Sequence, residues 1–265
     1  MLRQGSWAIA LSVVLCAYAH AQFLWPEGKH AAIVLTYDDA LRSQLDVAIP
    51  QLNEAKLKGT FFLNATMKPQ DMIRWRSVSQ NGHELGNHTL FHPCPRAILP
   101  DREHYATENY NPQTMISEIA AMNNLLVGLD AGEVHNLSYP CSQTLVGGID
   151  YKDALRHSGL VKYARNGGDQ YTSIVNNFSK LDPYDIPSWG PLDHPLSAQL
   201  ITYVERVRKA GGLGVLQFHG VGGDYLEVSA DSHQELLKYL QQNPDIWVGT
   251  FQEVMDYVVA HRSTN

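Results

Sequence analysis

Two carboxylates stand side by side in "IVLTYDDALRS", residues 33 to 43, where a β-strand pattern gives way to a helical one. Asp38 and Asp39, so close at one strand end, should raise each other's pKa unless something cationic separates their roles. About fifty residues on, "GHELGNHTLFHP" places His88 and His92 four apart. In a helical turn that spacing puts both imidazoles on one face. Two imidazoles facing an aspartate from another strand end form a three-ligand set for a divalent ion, with positions left open for water. Asp39, His88 and His92 are that candidate set. A further imidazole, His219, ends the alternating run "GVLQFHG" at a strand mouth. Among twelve histidines an isolated H-x-x-x-H pair would mean little, since chance supplies one. Its position after a strand, with Gly86 and Asn87 turning the chain, carries the signal, because catalytic groups converge at the C-terminal ends of strands in a parallel barrel.

Elements that could position these groups are spaced along the whole chain. Candidate strands are residues 31 to 37, 59 to 65, 83 to 88, 135 to 140, 160 to 166, 214 to 220 and 246 to 251. Helical patterns separate them, such as Leu41, Leu45, Ile49, Leu52 and Leu57, then Met115, Ile119, Met122 and Leu126. Alternation of this kind predicts an α/β fold, a barrel of about seven parallel strands. Pro50 falls inside the first helical pattern and should kink it. Trp75 reads as helix packing. Two long segments, 93 to 113 and 167 to 195, break the alternation and are expected to border a substrate groove.

With 265 residues, 44% of them apolar, the chain can bury one sizeable core. No repeat or linker divides it, so residues 22–265 read as a single domain. The formal charge of −7 is spread without a run of Lys or Arg, which excludes nucleic acid as an expected partner. Residues 1–21 read as a signal peptide: Arg3, the apolar "WAIALSVVLCAYA" and an Ala19-His20-Ala21 cleavage signal. That run is shorter than a membrane span needs, so the expected location is secreted or periplasmic, with no span in the mature chain. Cys94 and Cys141 then remain, either as a disulfide or as two buried thiols.

"TYDDA" resembles the first motif of the polysaccharide deacetylases of carbohydrate esterase family 4, the NodB homology domain. "NHTLFH" is similar to the second, His-Ser/Thr-x-x-His, and "GVLQFHG" resembles the last, an apolar strand ending in a catalytic His. The resemblance covers roughly residues 30 to 260. It implies a distorted (β/α) barrel of about seven strands, NodB-like, and one divalent ion, zinc first with cobalt or nickel also fitting. It also implies a division of labour. Asp39 would bind the ion with His88 and His92, Asp38 would act as general base, and His219 would be the acid.

The third motif, usually Arg-x-Pro-Tyr, reads "SYPCS" here, so Ser138 stands where the Arg would be and Cys141 where the aromatic residue would be. The backbone N–H of Cys141 could still donate to an oxyanion. Arg165, at the end of "VKYARN", could supply the missing guanidinium from another strand. The fourth motif is faint in "LDPYDIPSW": by the resemblance Asp182 or Asp185 would orient His219, and Trp189 would stack on a sugar or wall an acetyl pocket. The expected substrate is an acetylated polysaccharide or oligosaccharide, N-acetylglucosamine-containing glycan foremost. Alternatives are an O-acetyl esterase acting on xylan and a glycan-binding domain that has lost turnover.

Overall fold

The computed structural model describes residues 23–191 and 193–262, and the signal peptide expected over 1–21 lies outside them. The chain opens with β1 (Ala31–Asp38), a π-helical turn (Gln44–Ala48) running into α1 (Ile49–Ala55), β2 (Thr60–Leu63), α2 (Met72–Gln80) and β3 (Glu84–Asn87). It continues through α3 (Pro112–Asp130), β4 (Leu137–Ser138), a hairpin of β5 (Leu145–Val146) and β6 (Ile149–Asp150), α4 (Lys152–Ser158), β7 (Ala164–Asn166) and β8 (Ile186–Pro187). The last elements are α5 (Ser197–Ala210), β9 (Leu213–Phe218), α6 (Ala230–Gln242), β10 (Ile246–Gly249) and α7 (Phe251–His261).

Parallel pairing runs β9–β1–β2–β3–β4–β7–β8, and one residue pair, Trp189 with Leu216, leads from beyond β8 back to β9. Seven strands thus form a nearly closed, distorted (β/α) barrel, as the motif order implies. The seventh strand is not the expected one. Residues 246–249 do form β10, but it pairs only with Ala31–Val34, the first half of β1, while β2 takes the second half. β10 is therefore a wedge outside the ring. The missing stave is β8, inside the segment 167–195 that reads as loop. Two residues are too few to show a period, and Pro187 lacks the N–H expected of a strand interior.

Every residue of β1 is buried, which accounts for its unbroken apolar run. Its side chains still alternate. Ala31, Ile33, Leu35 and Tyr37 pack outward with residues of α1, α5 and α6, while Ala32 and Val34 point into the lumen with Phe62, Val215 and Ile186. The lumen is plugged by Phe251, Val254, Met255 and Val258 of α7. By the same alternation Asp38 faces the lumen at the top of the β1 column. Trp75 is fully buried against Phe61, a packing residue as expected. Pro50 sits in the first turn of α1, and the turn before it is opened to π geometry, relieving the clash of its ring with the preceding carbonyl.

Cys94 and Cys141 form a disulfide across 47 residues, joining the chain after β3 to the chain after β4. Closing a loop of that length removes about 4 kcal/mol of chain entropy from the unfolded state. Reduction, or Cys94→Ser, should lower stability by about that amount in chemical denaturation. A midpoint unmoved by reductant would contradict it.

Candidate active site

The groups singled out by the sequence gather at the upper rim of the barrel. Asp38 ends β1 and Asp39 follows it, His88 and His92 follow β3, Arg165 lies in β7 and His219 follows β9. His88 and His92 are not in a helix. Thr89 and His92 adopt left-handed backbone (φ 59° and 54°) that curls the loop back on itself. Asn87 Oδ1 accepts from Thr89 N at 2.7 Å and Thr89 Oγ1 accepts from His92 N at 3.0 Å, holding this β-branched residue where it would not otherwise rest. The curl brings the two rings to 4.7 Å between centroids, as a helical turn would have done. Gly86, in β3 just before this loop, lets the Phe62 ring of β2 pack against the strand, since a Cβ there would lie 2.4 Å from that ring.

Asp39 Oδ1 lies 3.5 Å from His88 Nε2 and 3.4 Å from His92 Nε2. Three donors bonded tetrahedrally to one cation at about 2.1 Å stand about 3.4 Å apart, so this donor set fits a small divalent ion. The His88 Nδ1–H donates to the Ser138 carbonyl at 2.8 Å, which turns the Nε2 lone pair toward Asp39. Asn64 Nδ2 donates to Asp39 Oδ1 at 3.1 Å and the Tyr225 hydroxyl to Oδ2 at 2.7 Å. Burial opposes the charge on Asp39, yet His88, His92, His219 and Tyr225 together hold its carboxyl below the usual range. Burial pushes His92 down to about 4, and neighbouring His88 adds to that. His219 is also lowered, by burial, against the opposing pull of Asp38 and Asp39.

Asp38 is held differently. Its Oδ2 accepts from the Arg165 guanidinium and from Gln217 Nε2 at 3.1 Å. Its Oδ1 is buried and finds no hydrogen-bond partner among the described residues. Arg165 is itself 1% exposed, with Nη1 donating to Ser188 Oγ at 2.8 Å, Nη2 to Ser138 Oγ and the Phe62 ring beneath its charge. Thus the guanidinium from β7 reaches the aspartate across the lumen, past the serine that stands in the motif position. Ser138 and Arg165 are paired in register between β4 and β7.

Cys141 lies just past β4 in left-handed backbone (φ 51°), with its sulfur within 4.8 Å of a His92 ring nitrogen. Beside His219 opens a cavity of about 540 Å³, lined by Ser142, Asn166, Gly167, Gly190, Asp193 and Gln217 among others. Half of the lining residues come from segment 167–195; segment 93–113, the other expected border, contributes none of them.

Residues 26–151 match the family model described as polysaccharide deacetylase. Over that stretch the chain resembles this family. The matched residues carry the first three motifs, and solved structures extend the likeness in fold over most of the chain. A crystal structure from Mycobacterium smegmatis described as a "putative polysaccharide deacetylase" superposes with a TM-score of 0.64 at 17% identity, covering 91% of this chain and 94% of that one. The catalytic domain of peptidoglycan N-acetylglucosamine deacetylase from Eubacterium rectale gives 0.57 at 15% identity, covering 88% and 93%. Peptidoglycan deacetylase PdaC from Bacillus subtilis, as its D285S mutant, gives 0.55 at 17%, covering 89% and 95%. Among curated proteins, a gellan lyase from a Bacillus species is 29% identical over 96 residues, which span 36% of this chain and 4% of that protein.

The expectation that Asp182 or Asp185 orients His219 fails in this barrel. Asp182 is taken up by Arg156 and the Tyr184 N–H, and Asp185 by Lys152 and Asn166; neither makes a hydrogen bond or ion pair to His219. They cannot reach because β8, which follows them directly, carries the chain away along its own stave. Trp189 is partly buried against Tyr203 of α5, with ring centroids 4.9 Å apart, and pairs β8 to β9 through its backbone; it is absent from the cavity lining.

Sequence reasoning passed over three polar residues that the structure draws in. Gln217 shares a strand face with His219, and that i, i+2 spacing could have revealed it. Gln44 is fully buried in the π-helical turn, and its Nε2 donates to the Asp38 carbonyl at 2.6 Å and the His219 carbonyl at 3.0 Å, tying the two strand ends together. Tyr225 reaches Asp39 from a loop with no periodic signal.

Proposed function

We propose that the protein is an exported, cation-dependent hydrolase that removes acetyl groups from an acetylated polysaccharide, N-acetylglucosamine-containing glycan first. The observation that carries this reading is the asymmetry of Asp38. Its Oδ2 is occupied by Arg165 and Gln217 and lies 3.8 Å from His88 Nε2, which sets the carboxylate beside the donor trio, while its Oδ1 is buried with no hydrogen-bond partner among the described residues. A divalent cation held by Asp39, His88 and His92, zinc before cobalt or nickel, would supply an acidified water and a positive charge at the acetyl oxygen.

Asp38 Oδ1 accepts the proton that water loses on attacking the acetyl carbonyl. Arg165 keeps that carboxylate ionised and aimed. The Cys141 N–H donates to the carbonyl oxygen as it gains charge. His219 delivers a proton to the leaving amine; its burial makes the imidazolium a willing donor. Export is supported by the Cys94–Cys141 disulfide, which persists in oxidising compartments. The glycan assignment is supported by the names of the similar structures, two of which are peptidoglycan deacetylases.

Acetate release from acetylated chito-oligosaccharide should be abolished by a chelator and restored by Zn²⁺ or Co²⁺. Release from acetylxylan alone would redirect the reading to an O-acetyl esterase. No release from either by the cation-loaded protein would leave a glycan-binding domain.

A further inference from the structure

The geometry points to Tyr225 as a positioning residue of the cation site, one that holds Asp39 so that a single carboxylate oxygen faces the two imidazoles. This rests on Asp39, His88 and His92 being the cation ligands. Asp39 Oδ1 is the oxygen near both imidazoles, at 3.5 and 3.4 Å. Its Oδ2 receives the Tyr225 hydroxyl at 2.7 Å, while Asn64 steadies Oδ1 at 3.1 Å. A carboxylate pinned at both ends by hydrogen bonds cannot rotate to offer both oxygens to an ion, and such outer partners tune affinity.

The loop that carries Tyr225 is built to keep the hydroxyl there. Its neighbours Asp224 and Leu226 both hold left-handed backbone, φ 63° and 47°, an arrangement a branched apolar residue adopts only when its surroundings impose it. Asp224 Oδ2 accepts from Ser43 N at 2.8 Å, anchoring the loop to the segment that follows Asp39. The Tyr225 carbonyl accepts from Gly220 N at 3.0 Å, directly after His219. Gly220 is required for this fold-back, because a Cβ there would lie 2.1 Å from the Gly223 carbonyl oxygen. Packing alone does not explain the strain, since the Tyr225 residue is 52% exposed and its ring lies largely at the surface. What it gains by this arrangement is the hydroxyl contact.

The test is a titration of Zn²⁺ and Co²⁺ into the full chain and into Tyr225→Phe, against a competing chromophoric chelator. The phenylalanine keeps the half-exposed ring and removes only the donor. Tyr225→Phe should bind both ions roughly 10–100-fold more weakly. At saturation its Co²⁺ visible spectrum should also differ, because a released Oδ2 can join the coordination shell. Equal affinity overturns the proposal. Weaker binding with an unchanged spectrum overturns it as well, since the loop and not the hold on Oδ2 would then be responsible. A wild-type chain that takes up neither ion would instead remove the reading of the ligand set, and this inference with it; equal loading of both proteins removes only the role of Tyr225.

Discussion

Asp38→Asn is expected to lower acetate release by about 10²–10⁴-fold while leaving the bound cation in place, the loss typical of removing a positioned general base. The amide keeps the shape of the carboxylate and an oxygen for Arg165, but it cannot take a proton at the position of the free Oδ1. Cation content, measured by elemental analysis, should match the wild type, because the donor trio consists of Asp39, His88 and His92. His92→Ala should do the reverse and deplete the ion. If Asp38→Asn loses its cation, the two aspartates do not divide the work as proposed.

Arg165→Met should destabilise the fold by about 3–5 kcal/mol, the range for breaking a buried ion pair from one side. Both members are 1% exposed, so solvent offers the abandoned carboxylate little compensation. Asp38 would keep one side-chain donor, Gln217 at 3.1 Å. Combining Arg165→Met with Asp38→Asn should recover part of the loss, because no unpaired charge then remains, and a double-mutant cycle in denaturant would measure the coupling. Arg165→Lys should not restore stability or activity, since one ammonium cannot serve Asp38, Ser138 and Ser188 in a plane as the guanidinium does. A wild-type unfolding midpoint in Arg165→Met would show that the pair carries no such weight.

The barrel was legible where strands are long enough to show their character: all eight residues of β1 are buried, and the first five are apolar. It was illegible at β8, two residues long, and misleading at β10, whose strand pattern is real but whose partner is only half of β1. No local signal tells a stave from a wedge, because that depends on which edge is already taken. The same divide runs through the site. Asp38, Asp39, His88 and His219 stand at strand ends, so alternation and chain position pointed to them. Gln44 and Tyr225 reach the site from a helical turn and a loop, and their contacts depend on how the chain returns. Asp182 and Asp185 were misplaced for the same reason: proximity to a motif in sequence does not aim a carboxylate.

The register pairing of Ser138 with Arg165 bears on which stave can serve a given acid. Neighbouring staves lie about 4.8 Å apart, less than the reach of an arginine, so a guanidinium can migrate one strand sideways and still reach the same acid. The lumen sums charge by height, not by order along the chain. Reading the motifs in order along the chain therefore leaves Asp38 without its arginine, whereas reading the ring at the height of Asp38 finds it on β7.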